Sequence, residues 1–179
     1  MKLGLAFGGC VLGAVAWGAA GRDYSEAGHH ANLFPNPRDP RNVSADRSVR
    51  EFLAAGVPPA KLVLGVPFYG RTWGDVKAEN DGLFQPGKAP REHIETHYAN
   101  LAAIVDREGF ARHWDAEAQA PFLWNSERRI FISYEDPESL RAKSRYVLDH
   151  HLGGAMFWEY YADPTGALLG TLSTELRGK

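Results

Sequence analysis

Histidines, carboxylates and aromatic rings carry whatever chemistry this chain performs, and their spacing narrows it. His93 and His97 stand four apart, which on a helix places two imidazoles on one face, within reach of a zinc ion. No third ligand follows at suitable spacing, and Ile94 stands where a zinc peptidase needs a glutamate directly after its first histidine. The other pair, His29-His30, reads as solvent-exposed. Neither a metal nor a cofactor is expected. Carboxylates cluster at Asp75, Glu79 and Asp81, at Glu92 and Glu95, at Asp115 and Glu117, and at Glu135, Asp136 and Glu138. The Tyr134-Glu135-Asp136 run looks like an acid–base pair. Asp136, however, directly precedes Pro137 at the head of an apolar periodicity, the place of a helix N-cap. No serine or cysteine nucleophile arrangement is visible, and no glycine-rich loop opens a helix to hold phosphate.

The elements that must position these groups are those of an α/β chain. Its 179 residues are 44% hydrophobic and 23% charged with a net charge of −2, which is ordinary for a soluble globular domain. Near-neutral charge without a basic stretch argues against nucleic acid and anionic membrane as main partners. Cys10 is the sole cysteine, so an intrachain disulfide framework and a multi-cysteine zinc site are both excluded. Aromatic residues reach 12%, a supply that suits sugar binding as well as cores. Residues 1–20 differ from the rest. Lys2, an apolar run from Leu3 to Trp17, and the small-residue patterns Ala14-Val15-Ala16 and Gly18-Ala19-Ala20 have the shape of a secretory signal. A buried strand or an artefactual start is the alternative, and the run is too short and glycine-rich for a membrane span.

Beyond residue 20, Pro35, Pro37 and Pro40 exclude a regular helix. Ser44 or Asp46 caps a short helix carrying Val49, Phe52 and Leu53, which Gly56 stops. Lys61–Arg71 begins as a continuous apolar run, the signature of a strand buried on both faces. Residues 72–130 break this rhythm, with a polar glycine-rich loop, a helix near Ile94–Asp106, aromatic segments at 110–114 and 121–124, and an alternating strand from Ile130 to Tyr134. They read as a small α+β insertion, with Trp114, Phe122 and Trp124 in its core. The rhythm then resumes with a helix bearing Leu140, Tyr146, Val147 and Leu148, a buried strand Ala155–Tyr160, and a last helix with Leu168, Leu169, Leu172 and Leu176. The order is that of a (β/α) barrel or an open α/β sheet, and since two central strands close neither, either other segments supply strands or this is part of a larger fold.

The runs GHHANLF (28–34), AGVPPAKLVLGVPFYGRTW (55–73), GFARHWDAEAQAPFLWN (109–125) and FISYEDPESLRAKSRYVLDHHLGGAMFWEYYADP (131–164) resemble the C-terminal part of a family 18 glycoside hydrolase, a chitinase. The resemblance covers nearly all of 28–172, in the family's order. It implies a (β/α)8 TIM barrel in which 61–69 is the seventh strand and 154–160 the eighth, with the α+β insertion domain between them forming one wall of the substrate cleft. The chain then divides into 1–20, a barrel portion 21–71, the insertion 72–130 and a barrel portion 131–179. It also implies that Tyr69, Arg71 and Trp158 line the sugar cleft at strand ends. A flat indole covers the C–H face of a pyranose, and guanidinium offers fixed donors to sugar oxygens. Trp73 is an outer sugar-stacking candidate.

The family's chemistry is hydrolysis of β-1,4-linked N-acetylglucosamine polymers assisted by the substrate's own acetamido group. Its general acid sits in an Asp-Gly-x-Asp-x-Asp-Trp-Glu run, and a Met-x-Tyr-Asp motif precedes the GHHANL loop. Neither run occurs in this sequence, where GCVLGAVAWGAA occupies the second position. The expectation is therefore a secreted, chitinase-like C-terminal portion that binds chitin or N-acetylglucosamine oligosaccharides and has no catalytic residue of its own. A truncated gene is the favoured account of the front end. A genuine secreted fragment and a separate polypeptide supplying the other strands are the alternatives. A non-catalytic sugar-binding module and an unstable remnant are the rival functional readings.

Overall fold

The computed structural model describes residues 25–177, so the signal-like run at 1–20 lies outside the described residues. Helix α1 (Ala45–Ala54) begins where Ser44, in extended conformation, accepts the Arg47 N–H on its hydroxyl at 3.1 Å. A proline-led turn then feeds strand β1 (Val63–Pro67). The apolar run does not continue as one strand. The chain turns at Phe68–Gly70 and re-forms as β2 (Arg71–Trp73) in a different sheet. Gly70 permits this corner, because a Cβ there would stand 2.9 Å from the Ser133 carbonyl oxygen and 2.6 Å from a Leu101 methyl.

Helix α2 (Tyr98–Ile104) is shorter than its apolar spacing predicts. Lys88 and His97 form bridges alongside Gly74 and Tyr69, so the backbone stays extended until His97 caps the helix. At the other end Asp106 has a left-handed φ of 54°. The aromatic segments become strands β3 (Ala111–Asp115) and β4 (Ala120–Asn125), followed by β5 (Ile130–Ser133). The sheet order is β2-β5-β4-β3, and every pairing is antiparallel. Strand alternation gives this sheet two buried faces. Leu123, Ile130 and Ile132 join Val66, Phe68, Leu101, Leu140, Leu168 and Leu172 in one core, while Trp73, Phe122, Trp124 and Phe131 pack with Val76 and Leu83 in another.

Helix α3 (Pro137–Asp149) starts as its sequence predicts. Asp136 accepts the Ser139 N–H at 2.9 Å, and the Asp136 N–H donates to the Ser139 hydroxyl at 3.0 Å. Strand β6 (Gly154–Trp158) follows, opening on Gly154 at φ 141°, which only glycine adopts freely. It ends two residues earlier than the apolar run, because Tyr160–Ala162 coil into one tight turn before helix α4 (Ala167–Leu176). β6 pairs with β1 in parallel, Val63 opposite Gly154 and Pro67 opposite Trp158, and among the described residues these two strands form a sheet of their own. A third core, with Leu33, Val49, Leu62, Leu64, Tyr146 and Val147, packs α1 and α3 against β1.

Candidate functional site

The C-terminal ends of β1 and β6 converge, and the residues expected at the sugar cleft lie on the chain that leaves them. The Phe68 N–H donates to the Trp158 carbonyl at 2.6 Å, and the Phe68 and Phe157 rings stack at 4.6 Å. This fixes the β6 end beside the turn that carries Tyr69. Trp158 is 56% exposed, although it is a large apolar ring at a strand end. Tyr160 and Tyr161 beside it are also exposed. Tyr69 is half-buried; burial pushes its phenol pKa up, and the Arg71 charge opposes that. Arg71 opens β2 and reaches over the Trp73 ring at 5.6 Å.

Trp73 itself is 0% exposed. Alternation along β2 sends it into the core beneath the sheet, where it meets Phe131 edge-on at 5.9 Å. The outer sugar-stacking expectation for Trp73 is therefore corrected: no face of the ring is open to a ligand.

The two adjacent histidines also depart from expectation. His29 and His30 are 4% and 5% exposed rather than solvated. Each is drawn inward by a distant partner. His29 Nε2 lies 3.0 Å from Asp115 Oδ2, which also accepts from Asn36 Nδ2 at 2.7 Å. Asp115 Oδ1 accepts the Glu117 and Ala118 N–H groups. Burial pushes the Asp115 carboxyl up, but the hydrogen bonds from His29, Ala118 and Asn36 outweigh it and hold the pKa at about 2. His30 bonds to Ser133 Oγ through both its backbone N–H, at 3.1 Å, and its ring Nδ1, at 3.0 Å. Its ring lies 5.9 Å from that of Tyr69. Burial, with the charges of Lys143, Arg71 and His29 adding, lowers the His30 pKa to about 3, so this imidazole is neutral at pH 7.

Behind His30 sits a buried ion pair that sequence reading missed. Lys143 Nζ bonds to Glu135 Oε1 and to the Ala31 carbonyl, and the Ser139 hydroxyl donates to Glu135 Oε2 at 2.5 Å. Burial pushes the Lys143 ammonium pKa down. The signal was present: Leu140, Lys143, Ser144 and Val147 follow the three-and-four spacing of one buried helix face, and a lysine on such a face needs a partner. Together Lys143, Glu135 and Ser133 hold the 28–34 loop against Tyr69. Asp136 serves as the α3 cap and also receives Arg112 Nε and Nη2 at 2.9 and 2.7 Å.

His93 and His97 do not share a helix face, since α2 begins after them. Among the described residues no group of three or more His, Cys, Asp or Glu side chains is arranged to hold a metal ion. Also among the described residues, no helix is long and apolar enough to cross a membrane. The arrangement offers an open indole, a phenol and a guanidinium at neighbouring strand ends, backed by a neutral, locked imidazole. Such a surface can bind a sugar ring.

Comparison with known proteins gives the same direction. The family model for glycosyl hydrolases family 18 matches residues 15–163. Chitinase A1 of Niallia circulans is 40% identical over 147 residues, covering 75% of this chain and 20% of that protein. A glycoside hydrolase family 18 N-acetylglucosaminidase from Paenibacillus barengoltzii superposes with a TM-score of 0.77 at 43% identity, covering 85% of this chain and 44% of that one. A class V chitinase from Nicotiana tobaccum, solved in complex with NAG4, superposes with a TM-score of 0.76 at 27% identity, covering 87% of this chain and 44% of that one. The chain thus spans less than half the length of each of these relatives. The likeness places its mixed α/β elements in a TIM-barrel-type fold.

Proposed function

Because this chain belongs to glycosyl hydrolases family 18, we propose that it forms one wall of the sugar cleft of a chitinase-like hydrolase acting on β-1,4-linked N-acetylglucosamine polymers. In this reading β1 and β6 are the seventh and eighth barrel strands, residues 72–130 are the insertion domain, and Trp158, Tyr69 and Arg71 bind substrate. The observation that carries it is Trp158, an indole left more than half open at the C-terminal end of a parallel strand, where such folds place their sites. Trp158 covers the C–H face of one ring. Arg71 and the Tyr69 hydroxyl fix its oxygens, and neutral His30 keeps Tyr69 in place without bringing a charge to the cleft. The reaction is substrate-assisted: a glutamic acid protonates the leaving oxygen while the acetamido carbonyl attacks the anomeric carbon. No residue of this chain takes the acid's role, so its part is to bind and orient. The chain acts outside the cell, where an insoluble polymer is met.

A second reading, a binding module without hydrolysis, is favoured by one observation: the sequence holds no Asp-x-Asp-x-Glu spacing at a strand end. Tryptophan fluorescence titrated with N-acetylglucosamine oligomers, with product analysis on the same samples, tests both. A saturable shift that is lost in Trp158→Ala supports the cleft. Released shorter oligomers would sink the binding-module reading and overturn the statement that this chain supplies no acid, and no shift with any oligomer would sink both readings.

A further inference from the structure

Three cations converge on one carboxylate where β2 ends. Asp75 Oδ2 lies 2.8 Å from Arg91 Nη2 and 3.6 Å from Lys88 Nζ, and its Oδ1 lies 3.2 Å from Arg129 Nη2. The backbone fixes this meeting. Gly74 and Lys88 exchange hydrogen bonds of 2.9 and 2.8 Å, and the Val76 N–H donates to the Arg129 carbonyl at 3.0 Å. The charges do not balance. Among the described residues none of the three cations pairs with a second carboxylate, so two positive charges are left over. Glu92, the acid next to Arg91, is taken by Arg128 at 2.6 Å. Exposed Lys77 and Glu127, two positions beyond Asp75 and two before Arg129, add one charge of each sign. The surplus also faces outward. The side chains of Arg91, Lys88 and Arg129 are 82%, 72% and 54% exposed, against 19% for Asp75. Arg91 further lines a cavity of about 430 Å³ together with Arg71.

The geometry points to a docking surface for a carboxylate-bearing polysaccharide at Lys88, Arg91 and Arg129. These side chains already grip a carboxylate in Asp75, and a guanidinium fork matches the two oxygens of such a group. Exposed ion pairs contribute little each, so they exchange readily for an incoming anion. One or two cations can turn to the polymer while Asp75 keeps the third. A polymer suits the patch better than a single ion. Two surplus charges in open positions hold one carboxylate weakly, whereas carboxylates repeated along one chain raise the effective concentration of the next. A nucleic acid is the poorer occupant, because its affinity grows with the number of phosphates neutralised and this patch neutralises few. The place of the patch beside the sugar cleft rests on the cleft reading; its charge surplus does not.

The test is fluorescence anisotropy of dye-labelled oligogalacturonate, titrated with the full chain at ionic strengths of about 0.01 and 0.15 M. Binding is expected at the lower value and weakens at the higher. Asp75→Asn removes the competing carboxylate, and asparagine tolerates the left-handed φ of 51° at this position. It should tighten binding by up to about fivefold, the upper worth of one exposed ion pair. Lys88→Gln and Arg91→Gln should each weaken it by a similar factor. A cluster that serves only to hold its loops together gains nothing from Asp75→Asn. The inference is overturned if no binding is seen at low ionic strength, if Asp75→Asn leaves affinity unchanged or lowers it, or if the Lys88→Gln, Arg91→Gln double variant binds undiminished. Galacturonic acid competing as well per carboxylate as the oligomer would assign the patch to single ions. Dextran sulfate or a DNA oligonucleotide of equal charge binding as tightly would assign it to polyanions at large, and either result overturns the polysaccharide. The same samples are titrated with N-acetylglucosamine oligomers while tryptophan fluorescence is followed. A response there without oligogalacturonate binding overturns the patch and leaves the cleft standing, and the converse sinks the cleft alone.

Discussion

The two sheets among the described residues are built to opposite standards. Although its edge strand β3 is only partly buried, the four-stranded antiparallel sheet is covered on both faces at its centre: β4 is buried along its whole length, with Leu123 on one side and Phe122 and Trp124 on the other. The two-stranded parallel sheet is not. β1 is largely buried, yet β6 is half-exposed from Gly154 to Phe157 and open at Trp158. Parallel strands ordinarily sit in sheets covered on both faces and rarely stand as a pair. The antiparallel sheet therefore carries stability of its own, while the parallel pair, which bears the sugar-facing residues, leans on what packs against it.

That contrast breaks first at the joint between the sheets. Lys143→Met removes the partner of buried Glu135 and the tie to Ala31, and is expected to destabilise by about 3–5 kcal/mol in urea unfolding. The double change Glu135→Gln, Lys143→Met should recover much of the loss. Equal losses in the single and double variants would show that packing, not pairing, holds the joint. Within the sheets, Leu123→Ala should lose about 2–5 kcal/mol. Phe157→Ala on β6, half-exposed, should lose well under what a fully buried phenylalanine does; equal losses would erase the contrast.

Acid sharpens it further. The folded His30 pKa, about 3, lies below its unfolded value of 6.5, so the unfolded chain binds the extra proton between those limits. Its contribution to stability is complete above pH 6.5 and falls as pH drops toward 3, by at most about 1.4 kcal/mol per pH unit. Asp115 acts in the same direction at lower pH, through the window below its usual value. His30→Asn should flatten the slope between pH 6 and 4, and an unchanged slope would assign it to other groups. Smallest of all, Trp158→Ala should alter stability by under about 0.5 kcal/mol, because the ring is mostly in water, while removing the sugar-dependent fluorescence signal.

Legibility in the sequence followed the range of the interactions. The α3 start was readable because Asp136, Pro137 and Ser139 form a cap within four residues. β5 was readable from its alternation. The corner at Phe68–Gly70 was not, since an apolar run looks the same whether it stays in one sheet or crosses to another. His29 and His30 were misjudged as surface residues because their partners, Asp115 and Ser133, lie 86 and 103 positions away. Trp73 was misjudged for a related reason: its exposure depends on which face of β2 is covered, and only the folded sheet decides that. At the candidate site, Tyr69, Arg71 and Trp158 came from the resemblance alone. Lys143 could have been found from helix spacing.

The antiparallel sheet begins and ends at one place. Arg71 on its first strand stands opposite Ser133 on its last, so everything between them hangs from adjacent points of the backbone. For a lineage under selection this is a ready socket. The intervening segment can lengthen, shrink or be exchanged between genes without displacing β1 or β6. Diversity in what such proteins grip is then expected to accumulate inside the loop of chain hung from Arg71 and Ser133, while the strands on either side descend nearly unaltered.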